Sequence, residues 1–217
     1  MIIDHTLPEY KRLRDIIGAS RYNGAYYYSQ EIVRNIIPNV QTDRNWVTID
    51  IPDVTIDHAI VFAHNNINLK KYKRWEGHDA ILVCGFPETA KRLSGVAKTI
   101  YLPLSVDVEY ISQFKRPKTK EACYVGRIGK CNGSVPRGIP HLSGIPRPEL
   151  LARMAEFRRV YATDRCAIEA KVLDCKVLSY GYNYGVKHDT DFWQVIDNRD
   201  AALMLQEKLD EIDGGTR

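Results

Sequence analysis

Three stretches of the chain put charged and polar residues where apolar runs end. The run ACYVGR (122–127) closes on Gly126-Arg127, and Lys130 follows three residues later. A glycine at a strand exit lets a ligand approach the backbone. An arginine just beyond it supplies a bidentate fork and a lysine a point charge, a pairing suited to phosphate oxygens. Farther on, RVYAT (159–163) passes into Thr163-Asp164-Arg165. Thr163 or Asp164 can cap a helix there, and a helix N-terminus offers free N–H groups and a positive dipole to an anion. Glu169 stands in that helix between Ile168 and Ala170, and its carboxylate can accept hydrogen bonds from both hydroxyls of a ribose. Phosphate together with ribose is the chemistry of a nucleotide. The competing readings are solvated basic residues after a strand and an ordinary exposed helix glutamate.

A second candidate is His64, which ends HAIVFAH (58–64) and precedes Asn65-Asn66. His58 and His64 are six apart and share a face if the strand is regular; a structural histidine is the alternative to a catalytic one. Metal ligation has no support, because HExxH, CxxC pairs and a DxD motif near a strand end are absent. Asp189-Thr190-Asp191 has the Asp-x-Asp form, but in a polar loop after the last expected strand. The runs LKKYKRW (69–75) and KRPKTK (115–120) are basic, and the first is interleaved with aromatics. They read as solvated surface or as a track for a polyanion backbone.

The elements that must position these residues alternate. WVTIDI (46–51), HAIVFAH, AILVCGF (80–86), TIYLPL (99–104), ACYVGR, RVYAT and KVLSYG (176–181) have strand composition. Residues 27–37, 88–93, 148–157, about 164–173 and 200–212 carry helical patterns. Residues 1–20 read as a helix or extended arm, and 128–148 as one long Gly/Pro-rich loop. Alternation at this spacing implies α/β architecture with parallel sheets. It predicts two small Rossmann-like halves facing a cleft, at 1–114 and 121–217, joined by the charged, proline-containing 114–121.

The 217 residues include 44% hydrophobic and 27% charged, with a net charge of +4. That balance suits a globular protein handling anionic ligands and does not by itself mark a nucleic-acid binder. Five cysteines without a CxxC pair read as free thiols of a reduced, cytoplasmic protein. No apolar run reaches the roughly 18 residues of a membrane span.

Taken in order, LPLSVDVEYISQF, ACYVGRIGK and VYATDRCAIEAKVLDCKVLSYG resemble the group 1 glycosyltransferases of the GT-B fold. Pro103, Val106 and Asp107 match that family's domain junction. Gly126, Arg127 and Lys130 match its phosphate clamp, Glu169 and Ala170 its ribose-binding helix, and Val177 the strand that follows. The resemblance covers about 100–180 and implies a reduced GT-B-like fold. It implies a metal-independent transferase using a nucleotide-sugar co-substrate and no resident cofactor. Arg127 and Lys130 would neutralise the donor diphosphate, and Glu169 would hold the ribose. Gly24, after Asn23, would be a remnant of the family's glycine loop, and His64 would face the reacting sugar. The chain departs from the family in lacking a clear first strand and several elements between Arg127 and Leu150. Two alternatives therefore stand beside the transferase: a catalytically inactive GT-B-like nucleotide- or partner-binding protein, and a glycosyltransferase acting on modified DNA.

Overall fold

The computed structural model describes residues 2–3, 24–48, 55–63, 69–126, 135–178 and 188–214. Contacts divide the chain into two compact units, Met1–Leu104 with Asn198–Arg217, and Ser105–Asp197. Each is α/β around one parallel sheet.

In the first unit, β1 (Ile2–Ile3), β2 (Asn45–Val47), β3 (Ala59–Ala63), β4 (Ala80–Cys84) and β5 (Lys98–Tyr101) lie side by side in chain order. β3 and β4 are buried along their whole length, which is why they read as unbroken apolar runs. The expected arm at 1–20 instead begins with a strand: Ile2 and Ile3 pair in parallel with Trp46 and Val47. Two residues are too few to show any periodicity. Helix α1 (Gly24–Glu31) runs on as a π-helical turn, Ile32–Ile36, and a 3-10 turn, Ile37–Asn39. Ser29 Oγ meets Thr48 Oγ1 at 2.7 Å, a buried tie from α1 to the end of β2.

The basic segment Leu69–Trp75 is a 3-10 helix, and Tyr72 and Trp75 are fully buried. With Ala90 and Leu93 of α2 (Pro87–Leu93) they pack on Val47, Val61, Ala63, Leu82 and Cys84. The aromatics therefore belong to the core and are not available to stack on nucleic-acid bases, while the intervening lysines face outward.

At the amino edge of this sheet, Arg44 donates to Asp79 (3.0 Å) and to Asp213 (3.2 Å). Asp213 lies on the last helix of the chain, α6 (Asn198–Gly214), whose Ala201, Ala202, Leu205 and Leu209 are buried. Asn198 Nδ2 also donates to Glu31 Oε2 at 2.9 Å. The C-terminal helix thus belongs to the first unit, not to a C-terminal half as its position in the chain suggests. His58 is not part of a regular strand: it precedes β3 with φ 56°.

In the second unit, α3 (Val108–Ser112) starts under a cap from Asp107, whose Oδ1 accepts from Tyr110 N at 2.8 Å. β6 (Lys120–Val125), β7 (His141–Leu142), β8 (Phe157–Tyr161) and β9 (Lys176–Leu178) form a parallel sheet in the order β7-β6-β8-β9. α4 (Arg147–Met154) leads into β8, and α5 (Asp164–Val172) joins β8 to β9. Residues 128–148 are thus not one loop, since β7 and the start of α4 fall inside them. The expected linker is tied down as well. Lys118 Nζ donates to the carbonyls of Ala155 (2.8 Å) and Leu173 (2.5 Å), while Lys115 and Lys120 pair with Asp174 and Glu156. The boundary between units lies upstream of it, at Leu104–Ser105. Among the described residues, no helix is long and apolar enough to cross a membrane.

Candidate functional site

The two sheets differ in where a ligand could sit. Open α/β sheets bind ligands beyond the carboxyl ends of their strands, in the crevice where strand order reverses. The first sheet runs in chain order, and among its described strands there is no reversal. In the second, the chain passes from β6 outward to β7, then returns to the other side of β6 as β8. The switch point therefore lies between β6 and β8, which pair from Lys120–Phe157 to Tyr124–Tyr161.

The residues at those two carboxyl ends are the ones that the sequence singles out. β6 ends in Val125, and Gly126 follows with φ 132°, a conformation that side chains rarely adopt. His141, beside it on β7, fixes this peptide. Its Nε2 lies 2.6 Å from the Gly126 carbonyl oxygen, and its ring stacks on Tyr124 with centroids 4.5 Å apart. For that contact to be a hydrogen bond, Nε2 must carry the proton.

β8 ends in Tyr161, and Thr163 is the N-cap residue of α5. Its backbone is extended, but its hydroxyl makes no capping hydrogen bond, so the cap expected from Thr163 is absent. Asp164, the first residue of the helix, has φ 58°. A non-glycine residue in that region is uncommon and concentrates at functional sites.

Glu169 lies about one and a half turns into α5. It is not an exposed helix residue: it is 4% exposed, among Ala167, Ile168, Ala170 and Val172. Its Oε1 is 3.0 Å from Nη2 of Arg147, the first residue of α4, and 3.8 Å from Nη2 of Arg165. All three side chains are buried. Two guanidiniums and one carboxylate thus share an interior corner, where fixed charges act more strongly than in water.

Of the candidates named from the sequence, Gly126, Thr163, Asp164 and Glu169 belong to the β6 and β8 exits of the second unit. Gly24 opens α1 in the first unit. His64, Arg127 and Lys130 lie outside the described residues. The sequence reading missed Arg147, Arg165 and His141 as parts of the site. Arg165 was recoverable, since it stands four residues before Glu169 on one helix face. Arg147 and His141 arrive through tertiary structure and leave no local signal. Among the described residues, no group of three or more His, Cys, Asp or Glu side chains is arranged to hold a metal ion. No family model matches the chain, and comparison with curated proteins and with solved structures gives no match.

Proposed function

We propose that the protein is a glycosyltransferase that takes its sugar from a nucleotide-activated donor, with the donor held by the second unit. One observation carries this reading: the switch point of the second sheet falls between the strand that Gly126 follows and the strand that leads into Thr163, Asp164 and Glu169. Gly126, Thr163, Asp164 and Glu169 follow the carboxyl ends of those two strands, which supports the reading.

In this reading Arg127 and Lys130, one and four residues after Gly126 in the chain, bind the donor diphosphate. They stabilise the negative charge that develops as the sugar–phosphate bond breaks, which is electrostatic catalysis without a metal. Glu169 anchors the ribose; because both arginines lie against Oε1, Oε2 is the oxygen assigned to its hydroxyls. His64 is assigned to the reacting sugar on the resemblance alone.

Isothermal titration with UDP, GDP, ADP and their sugar conjugates tests the binding step. The expected result is selective binding of one nucleotide that is lost when Arg127→Ala is combined with Glu169→Gln. No binding by the wild type, or binding that the double variant retains, would sink the reading. The chain's departures from the family between Arg127 and Leu150 favour an alternative in which the nucleotide binds but no sugar is transferred. Slow hydrolysis of the bound sugar nucleotide separates the two: release of free sugar supports the transferase, and an intact donor supports the binder.

A further inference from the structure

The geometry points to Arg147 as the positioning residue that aims the Glu169 carboxylate at the donor ribose. This rests on the donor-binding reading of the same site and extends it to a residue outside every motif named from the sequence.

Arg147 is 5% exposed and Glu169 4%. Taking both charges out of water costs several kcal/mol per ion, and apolar residues of similar volume often give equal or greater stability. Stability alone therefore does not account for a buried ion pair in a helix whose other buried residues are Arg165, Ala167, Ile168, Ala170 and Val172. The pair also bridges two elements. Arg147 opens α4, Glu169 sits within α5, and Nη2 to Oε1 is 3.0 Å. Arg165, on the same helix as Glu169, is farther from that oxygen at 3.8 Å, so the shorter tether comes from α4.

A glutamate has three side-chain torsions, and an untethered one loses that freedom when it binds a ligand. Arg147 Nη2 lies 3.0 Å from Oε1 as an ion pair without hydrogen-bond geometry, so it is the buried charge, held in place by α4, that biases the carboxylate toward one position. Ribose hydroxyls are donors and an ionised carboxylate is an acceptor, so a carboxylate held in one orientation selects a cis-diol over a sugar that lacks it. A lysine carries the charge on a flexible stem, which does not hold it at one fixed point beside Oε1.

The test compares UDP with 2′,3′-dideoxy-UDP, and GDP and ADP with their dideoxy forms, by calorimetry on the full chain. Hydrogen bonds to a charged group predict that the wild type prefers the ribose form by on the order of 10- to 100-fold. Arg147→Met and Arg147→Lys are expected to shrink that ratio to within about threefold while leaving affinity for the dideoxy form within about twofold. A purely structural role would lower both affinities together. Should Arg147→Met fail to fold, Arg147→Lys decides alone. A wild-type ratio that survives in the folded variants overturns the role of Arg147 and leaves the donor reading standing. A wild type that binds none of the six nucleotides, or does not distinguish the two sugars, overturns the ribose assignment itself.

Discussion

Nδ1 of His58 lies 2.8 Å from Oδ2 of Asp79, and the other ring nitrogen lies 2.9 Å from Oδ1 of Asp43. Ionised carboxylates only accept, so an imidazole that bonds both must carry two protons. The bond to Asp79, and then that to Asp43, raise the His58 pKa above its ordinary 6.5, while desolvation and the charge of Arg44 oppose the rise. The bond from His58 likewise lowers the pKa of both Asp79 and Asp43 below 3.8. The raised histidine contributes stability that is fully present below pH 6.5 and is lost as pH climbs through its folded value. The depressed carboxylates contribute stability that is present above about pH 3.8 and lost below it. The first unit is therefore expected to melt highest between about pH 4 and 6.5 and to lose melting temperature as the pH rises through the raised His58 value. His58→Asn, whose side chain tolerates the left-handed φ of 56°, should flatten the alkaline side of that profile. An unchanged slope in the variant would refute the assignment.

Much of the frame was legible because burial on both faces writes unbroken apolar runs, as in Ala80–Cys84 and Ala59–Ala63. The strands Ile2–Ile3 and His141–Leu142 were not legible, since a two-residue strand has no period to detect. The amphipathic pattern of Asn198–Gly214 announced a helix but not its destination. Its attachment runs through Arg44 and Asp213, which are 169 positions apart. LKKYKRW misled for a related reason. A 3-10 helix repeats every three residues, so Tyr72 and Trp75 fall on one side, toward the core. In the site, Gly126 and Glu169 were visible as residue types at strand and helix ends, whereas the arginine that meets Glu169 comes from another helix.

Helix α5 ends in a Schellman turn whose left-handed position is filled by Asp174. The Asp174 N–H bonds Lys171 O and the Cys175 N–H bonds Ala170 O, each at 2.9 Å, with Asp174 at φ 59°. Glycine is the residue with no steric cost there. Asp174→Gly is expected to stabilise the second unit by about 0.5 to 1 kcal/mol. The exposed Lys115–Asp174 pair that it removes is worth little. Urea denaturation reads the change, and a lower midpoint would count against this description of the turn.

Burial pushes the thiols of Cys84 and Cys123 up to about 12. The thiolate is the reactive form, so at pH 8 both should react with iodoacetamide on the order of a thousandfold more slowly than a free cysteine. Peptide mass mapping after brief alkylation should find Cys84 and Cys123 unmodified in the native protein and modified after unfolding in urea. Rapid native labelling of either would show that the cores around β4 and β6 open more readily than their packing implies.

Glu169 offers a stability measurement that complements the binding experiments. Removing one partner of a buried ion pair strands the other, at a cost of about 3 to 5 kcal/mol. Replacing both with apolar residues of similar volume avoids that penalty. Glu169→Ala should accordingly destabilise the second unit by about that amount, because Arg147 and Arg165 stay buried without the carboxylate. Arg147→Met combined with Glu169→Leu should recover the part of the loss that comes from stranding Arg147, Arg165 still lying buried without the carboxylate, while lacking the carboxylate that the donor reading requires. The two variants therefore separate folding from function. A folded double variant that still binds the nucleotide with full ribose preference would show that the buried pair serves the fold alone. A folded double variant that loses the preference would tie the cost of burying these charges to recognition of the donor.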